Sequence, residues 1–321
     1  MRSGPVPHHR GYLHETAFYG SDEEFLAIVL PFVTGGVEAG EPTVVALAEH
    51  NAKLLHGELP RVAGITFMPA TDQYARPATA IRGYRSLLAQ HVAAGAEQIR
   101  VVGDVPHPGV GAPGDSWIRY EAAVNHAYDD FPLWGLCPYD TRTTPEPVLA
   151  DVTRTHPHIA TTDGRHLVNS AYQDPARLLT RRAAAVDALE FGPPTTELLN
   201  PSAHAARYAV VAAAGRTRLS LDQVTDLVFA ASESVSNGLV HGRGPVLFRL
   251  WIDQNRAVVT VTDRGAGPAD PLTGLVPSID SRSAGVGLWV THQACDYVAL
   301  DRHAAGFTIR VIVGPPDLIT F

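Results

Sequence analysis

Ala231-Ser232-Glu233-Ser234-Val235-Ser236-Asn237-Gly238-Leu239-Val240-His241-Gly242 closes a helical pattern that begins near Asp222. Glu233 and Asn237 are four residues apart, which puts them one turn apart on the same helix face. A carboxylate beside a carboxamide suits a general base next to an oxygen ligand for Mg²⁺, a hard cation that keeps several of its waters. Two further pieces follow. Thr262-Asp263-Arg264-Gly265-Ala266-Gly267 leaves the end of the alternating strand 257–262. There an acceptor-only carboxylate can take a hydrogen bond from an exocyclic amine such as that of adenine. Gly265 and Gly267 leave the backbone bare for a flat ring or a phosphate. Gly285-Val286-Gly287-Leu288-Trp289 turns a loop into a helix, and a Gly-rich turn of that kind binds phosphate through free N–H groups and the helix dipole.

Taken singly, each piece has a plainer reading. Glu and Asn one turn apart ordinarily make a solvated helix face, and a Gly-rich turn is ordinarily a turn. Their order decides the matter: helix, strand end, then loop into helix. That order resembles the N, G1 and G2 boxes of the GHKL ATPases, a group that includes gyrase, heat-shock chaperones, histidine kinases and MutL. The resemblance is closest to the bacterial anti-sigma-factor serine kinases and covers residues 200–313. It implies ATP and Mg²⁺ as cofactors, Glu233 as the catalytic base and Asn237 as the Mg²⁺ ligand. It further implies that His241, Gly242, Asp263, Gly265, Gly267, Gly285, Val286, Gly287 and Leu288 surround the nucleotide. Gly306-Phe307-Thr308 resembles the last strand of that family, whose threonine assists adenine recognition; a lone strand Thr is otherwise only a good β former. No G-x-x-x-x-G-K-[ST] pattern occurs in the sequence, which argues against a phosphate-loop site.

At 321 residues with 45% hydrophobic content, the chain can fill two ordinary cores. A formal charge of −8 argues against direct nucleic-acid binding and against an anionic membrane surface. Cys137 and Cys295 are the two cysteines; they form no disulfide framework and suit a reducing compartment. With no apolar leader or spanning run, a cytoplasmic location is expected.

Ahead of the ATPase-like region, strands alternate with helices. Ser21 with Asp22, Glu23 and Glu24 starts a helix toward Gly40, in which Pro31 is a candidate kink. Strands are predicted at 42–48, 65–68, 98–103 and 133–137, and helices at 51–59, 77–95, 115–129 and 145–154. Nearly all-apolar strands between helices imply a mostly parallel sheet covered on both faces, with a ligand expected beyond its carboxyl ends. Trp117-Ile118-Arg119-Tyr120-Glu121, Leu136-Cys137-Pro138-Tyr139-Asp140 and Arg154-Thr155-His156-Pro157 resemble the MEDS sensory domain of methanogen and methylotroph regulators. The implied fold is RecA-like without the phosphate loop. The expected ligand is a small-molecule signal, contacted by residues drawn from His14, Asp104, Trp117, Glu121, Cys137, Tyr139, Asp140 and His156. His14, Cys137 and His156 are chemically able to bind Zn²⁺, but they lack ligand-type spacing and cysteine is often a small core residue, so an organic ligand is the expectation.

The predicted organisation is a sensory domain over 10–165, a helical linker over 166–194 and an ATP-binding α/β sandwich over 195–315. The linker reads as one helix, 174–191, with Leu178, Leu179, Ala183, Val186 and Leu189 as its apolar stripe; such a helix could serve signalling or a homodimer seam. Helices at 203–214, 222–240 and 286–294, a hairpin of 246–252 with 257–262, and closing strands at 297–300 and 307–313 complete the second domain. Residues 268–284, rich in Pro, Gly, Asp and Ser, read as a lid. The leading functional reading is a sensor-regulated serine/threonine kinase that phosphorylates an anti-anti-sigma factor and controls a sigma factor. A histidine kinase lacks its phosphoacceptor helix here, and a non-enzymatic ATP-dependent binding switch is the alternative from another class.

Overall fold

Strand register, more than helix length, positions the polar groups of both units. The computed structural model describes residues 9–59, 64–107, 114–276 and 285–319. The chain divides into two compact units, Met1–Arg177 and Leu178–Phe321. The boundary lies inside a short helix, where the sequence predicted a linker over 166–194.

The first unit runs β1 (Tyr12–Tyr19), α1 (Asp22–Glu38), β2 (Thr43–Ala46), α2 (Glu49–Glu58), β3 (Ile65–Phe67), α3 (Ala70–Gln73), α4 (Pro77–Ala93), β4 (Ile99–Gly103), α5 (Gly114–Ala127), β5 (Leu133–Asp140), α6 (Glu146–Thr155), β6 (His158–Ala160) and β7 (His166–Val168). The sheet order is β3-β2-β4-β5-β1-β6-β7. Every neighbouring pair is parallel except β6 with β7. Helix α1 starts as its sequence dictates: Ser21 Oγ accepts from the Glu24 N–H at 3.2 Å, and the three acids that follow favour the positive end of the helix dipole. Pro31 does not end it.

Strand β1 was not legible in the sequence. Its centre is His14-Glu15-Thr16, and all three are buried, so polar letters conceal a core strand. Successive side chains alternate between the faces. Leu13, Ala17 and Tyr19 join Phe25, Ile28, Phe32 and Leu136 under α1. Tyr12, His14 and Thr16 point the other way, toward α4, α5 and α6.

The second unit opens on the end of α7 (Pro175–Arg181) and continues through β8 (Val186–Asp187), a 3-10 turn at Ala188–Phe191, β9 (Thr196–Leu199), α8 (Ala203–Ala214), α9 (Leu221–Val240), β10 (Leu247–Ile252), β11 (Ala257–Asp263), α10 (Val286–Ala294), β12 (Tyr297–His303), β13 (Gly306–Val313) and β14 (Leu318–Ile319). Its main sheet, β12-β13-β11-β10-β9, is antiparallel throughout. One face, with Val259, Val261, Ile309 and Val311, packs on Ala206, Val210, Leu227 and Val235 of α8 and α9. A capping box starts α9: Ser220 Oγ accepts from the Gln223 N–H at 3.2 Å and Gln223 Oε1 from the Ser220 N–H at 2.9 Å.

The opposite face corrects the predicted helix over 174–191. Only Pro175–Arg181 is α-helical. Ala184 and Leu189 instead lie flat on the sheet with Trp251, Val258, Tyr297 and Ile312. Charged pairs hold the segment there: Arg256 Nε donates to Asp187 Oδ1 at 3.2 Å and Arg310 Nε to Glu190 Oε1 at 2.5 Å. Of the residues that read as one helical stripe, Leu189 packs against that sheet face while Ala183 is exposed, and from Leu178 onward the segment belongs to the second unit.

Candidate functional site

In the second unit the three glycine-bearing pieces meet. At the end of α9 the Asn237 carbonyl accepts from the N–H groups of His241 at 2.8 Å and Gly242 at 3.2 Å. The chain then runs along the buried carboxylate of Asp263, whose Oδ1 accepts from the Arg243 N–H at 3.0 Å and the Gly265 N–H at 2.5 Å. A Cβ on Gly242 would stand 2.5 Å from Asp263 Cγ, and one on Gly265 2.6 Å from Oδ1, so only glycine allows this approach. Oδ2 of Asp263 makes no hydrogen bond among the described residues. One oxygen is thus anchored and the other is an acceptor without a partner among the described residues.

The third piece closes on the first. Gly285 adopts φ 104° at the start of α10, where no side chain caps the helix, leaving its first N–H groups for an anion. A Cβ on Gly287 would collide with the Glu233 carboxylate, so the base candidate lies against that first turn. Gly267, at φ 69°, leaves no room for a Cβ beside the Phe307 ring. Glu233 and Asn237 are partly exposed, and neither side chain makes a hydrogen bond among the described residues.

Thr308 is a correction. Phe307, Ile309 and Val311 face the helices, so Thr308, with Arg310 and Ile312, faces the other way. Its hydroxyl pairs with Thr262 Oγ1 at 2.8 Å and His303 Nε2 at 3.0 Å. The strand's two-residue period separates it from Asp263, and Phe307 occupies the position that the Thr was expected to fill. Of the expected lid, residues 277–284 lie outside the described residues. Its first part is anchored, with Leu272 and Leu275 buried and Asp270 Oδ1 accepting from the Leu272 N–H at 2.8 Å.

In the first unit five of the eight expected sensory residues converge, on a sheet face and not beyond the strand ends. His14 (β1), Cys137 (β5), Glu121 (α5) and His156 (after α6) are fully or almost fully buried, with one donor atom from each within 4.8 Å of the others. Tyr139 joins them, its hydroxyl donating to Glu121 Oε1 at 2.6 Å. Burial lowers both imidazoles to about 3 and raises the Glu121 carboxyl and the Cys137 thiol, because the low-dielectric interior disfavours each charged form. Asp104, Asp140 and Trp117 are held elsewhere. Asp104 Oδ2 accepts from Ala48 N and Asn51 Nδ2, Asp140 pairs with Arg142, and Trp117 stacks edge-on with Tyr74 and Tyr120.

Sequence reasoning missed the tyrosines. Tyr12, Tyr74, Tyr84, Tyr120 and Tyr128, with Val124 and Gly135, line a small cavity of about 20 Å³ whose wall also includes Glu121 and Cys137. Twenty cubic ångströms admits a guest about the size of one water. Asn125 was missed too. Its position four residues after Glu121 on α5 was the available signal, the same spacing that singled out Asn237 after Glu233.

Comparison with known proteins agrees with this division. Residues 13–157 match the MEDS domain, the methanogen/methylotroph DcmR sensory domain, and residues 197–313 match the histidine kinase-like ATPase domain. The anti-sigma F factor of Pasteuria penetrans is 31% identical over 103 residues, covering 29% of this chain and 69% of that protein. Among solved structures, the RsbU and RsbW domains of a Mycobacterium tuberculosis protein align over 40% of this chain and 34% of that one, at 18% identity and a TM-score of 0.27. The histidine kinase domain of the E. coli osmosensor EnvZ aligns over 40% of this chain and 93% of its own, at 20% identity and 0.24; scores this low carry no functional argument. No helix among the described residues is long and apolar enough to cross a membrane. The chain therefore carries a MEDS sensory domain as its first unit and, through its second, belongs to the histidine kinase-like ATPases of the anti-sigma-factor family.

Proposed function

We propose that the chain is a sensor-regulated, Mg-ATP-dependent serine/threonine protein kinase of the anti-sigma-factor type, acting on a small anti-anti-sigma partner. One observation carries this reading: Asp263, held by two backbone N–H groups on one oxygen and without a partner among the described residues on the other, among glycines that leave a flat ring room to approach. The free oxygen is the acceptor an adenine amine requires. The uncapped first turn of α10 suits phosphate, Asn237 offers its carboxamide oxygen to Mg²⁺, and Glu233 beside that turn is the base for an incoming hydroxyl. Bound ATP would supply the phosphoryl group; the chain's part is to position it and to take the proton.

The first unit is the sensor of a small-molecule signal, with no nucleotide of its own. Incubating the full chain with γ-labelled Mg-ATP and candidate partners tests the proposal. Label on the partner that survives acid is phosphoserine or phosphothreonine and is the expected result. Acid-labile label on the chain itself would make it a histidine kinase. ATP-dependent partner binding with no label anywhere would make it a binding switch.

A further inference from the structure

The two imidazoles of the first unit are locked in one tautomer by their outer contacts. Nδ1 of His156 lies 2.8 Å from the Val152 carbonyl, which can only accept, so that nitrogen carries the proton. The amide nitrogen of Asn125 is within 2.9–3.3 Å of the carbonyl oxygens of Glu121, Ala122 and Thr155. That fixes the orientation of the amide and leaves Oδ1 to accept from His14 Nδ1 at 3.1 Å. Both Nε2 atoms are therefore bare lone pairs, and both point inward. Among the described residues His156 Nε2 has no hydrogen-bond partner although it is completely buried, a condition native interiors rarely leave without an ion or water.

Those lone pairs meet a carboxylate oxygen and a sulfur. Glu121 Oε2 is 3.4 Å from His14 Nε2 and 3.6 Å from His156 Nε2. Cys137 Sγ is 3.6 Å from His14 Nε2 and 4.0 Å from Glu121 Oε2. A tetrahedral zinc with ordinary bond lengths sets its ligand atoms roughly 3.3–3.6 Å apart. Four electron-pair donors converging in a dry core leave the His156 Nε2 lone pair unmatched among the described residues, and a cation between them would satisfy it. We propose that the first unit holds one Zn²⁺ ion, bound by His14 Nε2, His156 Nε2, Glu121 Oε2 and Cys137 Sγ.

Three of these four separations fall within that span, and the charges balance. A thiolate, a carboxylate and two neutral imidazoles balance a dication, so the filled site is electrically neutral where a net charge would be costly. The outer shell is that of a metal site: each imidazole N–H is held by an oxygen, and the second carboxylate oxygen by the Tyr139 hydroxyl at 2.6 Å. Four protein ligands make a closed, structural site. It ties β1, β5, α5 and the α6–β6 junction together, and two of its ligands also line the tyrosine cavity.

The test uses the full chain. Protein dialysed against Zn²⁺ and then against metal-free buffer should retain one zinc per chain, and loading should raise its melting temperature. Replacing zinc with Co²⁺ should give the visible bands of a tetrahedral ion with a thiolate-to-cobalt band. That charge-transfer band should disappear in Cys137→Ser and persist in Cys295→Ser. Asn125→Ala, which frees the His14 ring without removing a ligand, should weaken zinc by about 10–100-fold. Wild-type protein that retains no zinc and shows no cobalt spectrum overturns the proposal. So does a charge-transfer band that is lost in Cys295→Ser or unchanged in Cys137→Ser. If Cys137→Ser fails to fold, wild-type stoichiometry and the Cys295→Ser spectrum still decide.

Discussion

Helices α5 and α9 carry the same carboxylate–carboxamide pair at the same spacing, Glu121 with Asn125 and Glu233 with Asn237, and the two pairs have opposite fates. On α5 both side chains are engaged. Glu121 is completely buried, Tyr139 donates to one of its oxygens, and Asn125 is engaged by three carbonyls and an imidazole. On α9 both side chains are partly exposed, and among the described residues neither has a side-chain partner. The first pair is finished by the protein's own core; the second is left for something that comes from outside. Spacing creates a face, but burial and hydrogen bonding decide whether that face is structural or catalytic.

The comparison breaks most visibly at Glu233. Glu233→Gln keeps the size and much of the hydrogen bonding, so ATP affinity should change little. Partner phosphorylation should fall roughly 10²–10⁴-fold, the worth of a general base, toward the smaller figure if positioning dominates phosphoryl transfer. Fluorescent ATP-analogue titration and a phosphorylation assay on the same preparation check it. A wild-type rate would remove Glu233 from the chemistry.

The two asparagines should then separate stability from binding. Asn125→Ala leaves a buried imidazole N–H without its acceptor and should cost about 1–3 kcal/mol of stability, with ATP affinity unchanged. Asn237→Ala should do the reverse, weakening Mg-ATP by about 1–3 kcal/mol while urea unfolding moves by no more than about 0.5 kcal/mol. Urea denaturation and nucleotide titration on both variants read all four quantities. Equal effects in either assay would mean that the two helices do not differ as described.

Glycines and a strand-end acid are local signals, which a sequence shows directly. In the fold Gly242 and Gly265 stand against Asp263, and Gly287 against Glu233. Thr308 was misplaced because a motif read as a string does not say which face a strand presents; only the register of Thr308 against Thr262 does. Three members of the metal-like cluster, His14, Cys137 and His156, were named for their chemistry, but no spacing marked them as ligands and Glu121 was not counted with them. His14, Glu121, Cys137 and His156 come from three elements and a junction that only the sheet order brings together. Strand β1 was hidden because His14, a member of the cluster, and its buried neighbours Glu15 and Thr16 erase the apolar run that announces a buried strand.

The smallest expected effect compares two acids that end their strands, Asp104 after β4 and Asp263 closing β11. Asp263 shares one oxygen between two backbone N–H groups and keeps the other open. Asp104 Oδ2 takes Ala48 N at 2.8 Å and Asn51 Nδ2 at 2.9 Å, yet loss of solvent outweighs both bonds and raises its carboxyl to about 6. A carboxyl that titrates higher folded than unfolded holds its proton in the native state after the unfolded chain has released it. The native state binds more protons between about pH 4 and pH 6, so stability falls as pH rises through that window and is level above it. Asp104→Asn keeps an acceptor for both donors and cannot ionise. It should flatten that part of the stability profile and gain about 1 kcal/mol above pH 6, less than the full shift corresponds to because the carboxylate keeps some contact with water. Urea unfolding of both proteins from pH 4 to pH 7 measures the difference. A variant less stable than wild type at pH 7 would mean that the ionised Asp104 is worth more to the fold than its desolvation costs.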